Sequence, residues 1–193
     1  MIDTQPILKN HTDLLNFIAK KINAKMFLEI GTFNPDHNFN KIKVEGKISV
    51  DPDPNAKALI RMTSDEYFSI FETKYDVIFI DGLHEARQVM RDIENAYRCL
   101  KDERSVIVVH DVNPHSESIT HVPRDSGEWC GNVYQAACAL KGNKITVDID
   151  YGCMVIFNSP FFFDFLSISW EKFDSERKEL LELISVEDFV KMF

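Results

Sequence analysis

Tyr75-Asp76-Val77-Ile78-Phe79-Ile80-Asp81-Gly82, carried on to Ser105-Val106-Ile107-Val108-Val109-His110-Asp111, is the stretch whose reading decides the fold. The first run is apolar, of strand length, and breaks at Asp81-Gly82, a pair that ends strands because glycine tolerates any turn. Val89, Ile93, Ala96, Tyr97 and Leu100 then recur at helical spacing, with Arg87, Arg91, Glu94 and Arg98 off that stripe. The second run is β-branched and ends in His110-Asp111. Strand, helix, strand is the order of a right-handed crossover, which brings the C-terminal ends of two parallel strands to one sheet edge, where open α/β sheets bind ligands. Asp81, His84, His110 and Asp111 are therefore expected to converge.

Outward from this unit the same alternation continues. Upstream, Leu14, Leu15, Ile18 and Ile22 share one face of an expected helix over Thr12 to Ile22, begun by Thr12 or Asp13. Met26 to Ile30 reads as a buried strand ending at Gly31, and Lys47 to Val50 as the next, stopped by Asp51-Pro52-Asp53-Pro54. Leu59 to Met62 has the pattern of a short third strand, and Ser64 that of a cap on a helix through Phe71. Downstream, Val112 to Glu128 lacks periodicity and reads as a functional loop. Trp129 to Leu140 returns to helix, and Lys144 to Ile149 with Cys153 to Phe157 form an expected antiparallel hairpin at the sheet edge. An aromatic group from Phe161 to Phe165 and a charged helix over Trp170 to Ile184 close the chain. The expected class is α/β: a doubly wound, mostly parallel, seven-stranded, Rossmann-like sheet with a C-terminal antiparallel hairpin and helices on both faces. Residues 1–193 are expected to form one domain, with a core of about residues 25–158 on which helix 12–22 and tail 161–193 pack.

Composition narrows the function. A net charge of -9 with no basic stripe argues against binding phosphate backbones, so no nucleic-acid partner is expected. Cys99, Cys130, Cys138 and Cys153 have no CxxC spacing and read as reduced thiols of a cytoplasmic protein. No apolar run reaches spanning length, so no membrane partner is expected either. The aromatic tail can cover a core or a homo-oligomer interface.

Leu28-Glu29-Ile30-Gly31, Val50-Asp51, Phe79-Ile80-Asp81-Gly82 with His84, and His110-Asp111 follow one another between about Met26 and Phe157. In that order they resemble the class I methyltransferases that use S-adenosylmethionine, in the small-molecule group whose motifs run LEIG, VD, FIDG-H and HD. The resemblance implies an S-adenosylmethionine cofactor touching Glu29, Gly31, Asp51, Ser64 and Asp81, and a small-molecule or sugar hydroxyl as acceptor. Each residue also has a plainer reading: Gly31 as a strand-ending turn, Asp51 as a turn acid in competition with Asp53, and Ser64 as a helix cap. The first loop, Thr32 to Asn38, carries no further glycine, and the absence of G-x-G-x-x-G argues against a nicotinamide enzyme.

Methyl transfer to a hydroxyl needs the proton removed or the oxygen's pKa lowered. His84 or His110 is a candidate general base, beside Asp81 as a catalytic acid residue. Alternatively Asp81 and Asp111, with Asn113, form a candidate site for Mg²⁺ or another divalent cation, although metal-using relatives place an acid where this chain has Leu83. Asn113, Trp129 and Asn132 are the candidate acceptor wall. Plainer readings are a backbone-bonded His84, a His110 that orients Asp111, and a Trp129 that anchors packing. Two other functions stay open: a metal-dependent hydrolase built on Asp81, His84, His110 and Asp111, or a catalytically silent cofactor-binding module.

Overall fold

The computed structural model describes residues 7–164 and 167–192. Its first helix, α1 (His11–Lys21), starts earlier than the hydrophobic stripe suggests, because Asn10 caps it by accepting from the Asp13 amide at 3.0 Å. Asp13 in its first turn and Lys20 and Lys21 in its last complement the helix dipole. Leu14, Leu15 and Ile18 are wholly buried, each worth about 2 kcal/mol of transfer free energy, which fixes the helix on the sheet down to its first residue.

Strands β1 (Met26–Ile30), β2 (Gly46–Val50), β3 (Val77–Ile80) and β4 (Val106–Val109) are parallel. Helices α2 (Ser64–Ile70) and α3 (Ala86–Arg98) supply crossovers, followed by α4 (Val133–Ala139), β5 (Leu140–Lys141), β6 (Lys144–Val147) and β7 (Cys153–Phe157). β8 (Phe162–Phe163), α5 (Trp170–Leu181), β9 (Leu183–Ile184) and α6 (Val186–Met192) complete the order. The main sheet has seven strands ordered β2-β1-β3-β4-β7-β6-β9, and β5 pairs separately with β8. Alternation along the strands feeds two cores. Ile78, Ile80, Ile107 and Val109 face α3 and α4, whereas Val77, Phe79, Val106 and Val108 face α1 and α6. The doubly wound, Rossmann-like class expected from the sequence is the one observed.

Several boundaries differ, each for a local reason. Leu59 to Met62 is not a strand, since only Ile60 makes a single parallel bridge to Val50. Tyr75 likewise only bridges Leu100, so its ladder begins at Val77. Thr63, not Ser64, caps α2 through a reciprocal capping box with Glu66. The helix expected from Trp129 begins at Val133, because Gly131 takes a left-handed φ of +57°. The β6–β7 hairpin is internal, with the two-residue β9 outside it; the tail segment expected as helix to Ile184 turns at Glu182 (φ +52°) to form that edge. Phe161 packs against Tyr97 at 5.1 Å between ring centroids, while Phe165 of the expected aromatic group lies outside the described residues.

Strand register aligns the ends of the parallel strands. Ile30 pairs with both Val50 and Ile80, and Ile80 pairs with Val109, so four strand ends stand level. The strand order reverses beside β1, which places the switch-point crevice between the β1 and β3 ends.

Candidate active site

A cavity of about 770 Å³ opens over these ends and is lined by Glu29, Asp51, Asp81 and Asp111, one acid from each parallel strand. Glu29 is 3% exposed and accepts from Asn38 Nδ2 at 2.7 Å; Thr12 Oγ1 in turn donates to Asn38 Oδ1 at 2.8 Å. Burial pushes the Glu29 carboxyl up to about 7, because the bond from Asn38 and the charge of Lys47 only partly offset lost hydration and Asp81 adds repulsion. Gly31 has φ +90°, and a Cβ there would collide with the Asp81 carbonyl oxygen. Glycine at this position lets the turns after β1 and β3 touch each other, and Gly31 also lines the cavity.

Asp51 is placed by two backbone amides: Oδ2 accepts from Phe33 at 2.9 Å and Oδ1 from Asp53 at 2.8 Å. Asp53, its competitor, turns its carboxylate onto Asn55 and does not line the cavity. Ser64 lines the wall and accepts from Gln88 Nε2 at 3.2 Å. Phe33 and Leu83, 57% and 51% exposed, add apolar surface.

On the other side of Asp81 lies a ladder of imidazoles and carboxylates. Asp81 Oδ1 accepts from His110 Nδ1 at 3.3 Å and pairs with His84 Nε2 at 3.4 Å. His84 Nδ1 donates to the Trp129 carbonyl at 3.2 Å and lies 3.3 Å from Asp111 Oδ2. His110 Nε2 donates to the Asp150 carbonyl at 2.6 Å. Burial alone would discharge both rings, but Asp81 and Asp111 outweigh it: His84 is raised, and His110, with Asp150 adding, is raised to about 10. Asp81, despite burial, is held well below the usual carboxylate range by His110 and His84. Asp111, with φ +61°, is raised by burial that its histidine neighbours do not fully offset.

The bonding bears on two expected roles. His110 has both ring nitrogens bonded, to the Asp81 carboxylate and the Asp150 carbonyl, and its neighbouring acids raise it to about 10, an arrangement that favours holding a proton over accepting one. His84, spanning two carboxylates and a carbonyl, is equally committed. The magnesium reading also meets a poor donor set. Asn113 gives its amide to Asp148 (3.1 Å) and accepts from Arg177 (2.9 Å), while Leu83 offers no oxygen. Asp81, His84 and Asp111 each present one ligand atom within 4.8 Å of the others, but the histidine stands between the carboxylates, where a bridging cation belongs. An imidazolium suits that place better than a hard, octahedral, oxygen-seeking ion.

Trp129 lines the cavity, stacked on His84 at 4.9 Å and 21°. Gly131 beside it (φ +57°) passes over His84, whose carbonyl oxygen a Cβ would strike. Asn132 faces away from the cavity chemistry, since its Oδ1 accepts from the Ala86 amide at 2.6 Å and so caps α3. Neither Asn113 nor Asn132 lines the cavity expected of them. Sequence reasoning missed His11, Asn38 and Asp150, which do line it. Only Asp150 carried a signal, as part of the Asp150-Tyr151-Gly152 turn.

Among known proteins, residues 36–112 match the family model described as a methyltransferase domain, which spans β2, α2, β3, α3 and β4. No curated protein matches the chain. Among solved structures, a candidate O-methyltransferase from Klebsiella pneumoniae shares the fold at TM-score 0.55 and 15% identity, over 81% of this chain and 83% of that one. A candidate caffeoyl-CoA O-methyltransferase from Staphylococcus aureus gives 0.56 and 18%, over 82% and 88%. An SAH-bound methyltransferase from Podospora anserina gives 0.56 and 12%, over 79% and 77%. The chain thus has the class I methyltransferase fold, with a methyltransferase-domain match running through the strands that carry Asp51, Asp81 and Asp111.

Proposed function

We propose that this protein is an S-adenosylmethionine-dependent methyltransferase acting on a hydroxyl of a small molecule or sugar. The observation that carries the reading is the level row of Glu29, Asp51, Asp81 and Asp111 around one cavity at the switch point of the sheet. The methyltransferase-domain match and the O-methyltransferase neighbours support it. The residues suit the cofactor. A cavity of about 770 Å³ is within the range of small-molecule sites, and its acids complement a ligand bearing an ammonium and a sulfonium. When bound, S-adenosylmethionine supplies an activated methyl group on a cationic sulfur.

In this reading Glu29 meets the ammonium, Asp51 the ribose hydroxyls, and Ser64 the adenine side, with Phe33 and Leu83 as apolar walls. Asp81 faces the reacting end, and Trp129 borders the acceptor. The hydrolase alternative is not favoured, because the two imidazoles it would need as ligands are charge-paired with carboxylates. We place the protein in the cytoplasm on its four free, buried cysteines. No helix among the described residues is long and apolar enough to cross a membrane.

Calorimetry with S-adenosylhomocysteine tests the reading, and an absence of binding refutes it. Asp51→Ala is expected to weaken that binding by about 1–3 kcal/mol through lost hydroxyl bonds; unchanged affinity would remove Asp51 from the ribose. Binding is also expected to release a proton near pH 7. An ammonium beside Glu29 favours its ionised form, and the carboxyl is largely protonated below about 7 in the free protein. Titrations in buffers of different ionisation enthalpy read the proton directly, and equal apparent enthalpies in all buffers would contradict the pairing.

A further inference from the structure

Every general base that the motifs suggested is already committed: His84 and His110 each bond through both ring nitrogens. Two other histidines line the same cavity: His37, whose Nε2 is engaged by Asn34 Nδ2 at 3.2 Å, and His11, whose ring meets that of His110. His11, the first residue of α1, places Nδ1 2.5 Å from Asp150 Oδ2, and its backbone amide donates to the same oxygen at 3.3 Å. Its ring lies on Phe79 (5.6 Å, 16°) and meets the His110 ring edge-on at 4.6 Å. The orientation is fixed on three sides. Nε2 has no hydrogen-bond partner among the described residues, and His11 lines the cavity wall.

The carboxylate that holds His11 is itself held at a cost in backbone strain. Asp150, Tyr151 and Gly152 take consecutive left-handed φ values of +48°, +64° and +84°, a conformation that only the last adopts freely. This turn aims the Asp150 carboxylate back across the sheet at His11 and its carbonyl at His110. A cavity-facing imidazole whose other ring nitrogen is held by a half-buried carboxylate has the geometry of an oriented proton acceptor.

Building on the methyltransferase reading, we infer that His11, positioned by Asp150, is the general base that takes the proton of the acceptor hydroxyl. As the acceptor oxygen bonds to the methyl carbon, the carbon–sulfur bond breaks and its electron pair stays on sulfur, which becomes the neutral thioether. The hydroxyl proton passes to His11 Nε2, the resulting imidazolium is paired with Asp150, and solvent later removes the proton. The charged and titratable groups around His11 are Asp150 from the β6–β7 turn, His110 after β4 with Asp81 behind it, and Asp13 in the first turn of α1.

The test has an arm that needs no acceptor. Diethylpyrocarbonate acylates an accessible, unprotonated imidazole nitrogen; with S-adenosylhomocysteine bound, mass mapping is expected to find His11 modified at least 10-fold faster than His84 and His110. Asp150→Asn should change that rate. A His11 as unreactive as the other two overturns the inference. In turnover, His11→Gln is expected to lower kcat for catechol about 100-fold, with KM and S-adenosylhomocysteine affinity unchanged and the pH dependence of kcat flattened. The same variant should keep most of its activity on a nitro-substituted catechol, which is already ionised at neutral pH and needs no base. Equal losses on both phenols, or none on either, overturn the inference. If the wild type methylates neither phenol, the acylation arm alone decides. Failure of the wild type to bind S-adenosylhomocysteine would instead sink the methyltransferase reading, so the two failures are told apart.

Discussion

His110→Gln is expected to destabilise the fold by about 3–5 kcal/mol near pH 6, and this deficit should close as the pH rises through about 10. His110 is 8% exposed and stands between the Asp81 and Asp111 carboxylates, with Asp150 at 4.0 Å from its second nitrogen. Glutamine keeps an amide that can donate a hydrogen bond in the same place, so the loss measures the missing charge and not a cavity. Two carboxylates would then share only His84 as a counter-charge, and leaving a buried charge uncompensated costs more than forming the pair contributes. The pH window follows from the direction of the shift. His110 has an ordinary value of 6.5 and a folded value of about 10, so the folded state binds more protons between them. Its stabilisation is complete below 6.5 and is lost as the pH climbs through the folded value. Urea unfolding of both proteins at pH 6, 8 and 10 reads this, and a gap of equal size at pH 6 and pH 10 would show that His110 is not the internal cation of the site.

That cation was only half legible in the amino-acid order. Val106 to His110 announces a buried strand with a polar end, and parallel register then makes Asp81 and Asp111 neighbours whatever the loops do. Hence the acids at positions 29, 51, 81 and 111 could be placed on one rim from pattern alone. What each does there depends on partners far away in sequence. His110 is charged because Asp81, 29 residues earlier, and the Asp150 backbone, 40 residues later, both face it. His11 pairs with a carboxylate 139 residues away, and it sits one residue ahead of the helix that the apolar stripe suggested. Gly31 was legible as a special residue, but its neighbour was not, since the atom a Cβ would meet belongs to the turn after β3. Asn113 and Asn132 have the right chemistry for an acceptor wall, yet Asp148, Arg177 and the Ala86 amide bind them first. The two-residue strands β5, β8 and β9 are shorter than any periodicity can reveal.

Asp81→Asn is expected to lower kcat/KM about 10³-fold while leaving a folded protein. The amide oxygen can still accept from His84 and His110, so the geometry of the ladder survives, and His110 keeps Asp111 and Asp150 as counter-charges. The stability loss should therefore be smaller than that of His110→Gln. What changes is the sign of the field at the reacting end. Asp81 is the strongest acid of the cluster, held ionised by two imidazoles although burial opposes it, and its second oxygen has no protein partner among the described residues. Without that charge, His84 and His110 face a cationic sulfonium with Asp111 alone to balance them, and Asp111 is the carboxyl whose ionisation burial disfavours. Binding and positioning of the methyl donor should fall together, so that S-adenosylhomocysteine, which lacks the sulfonium charge, loses less affinity than S-adenosylmethionine. Measuring both ligands against the same variant separates charge from shape. Equal losses for the two would mean that Asp81 acts through hydrogen bonding alone, and a variant with full kcat/KM would remove it from the reaction.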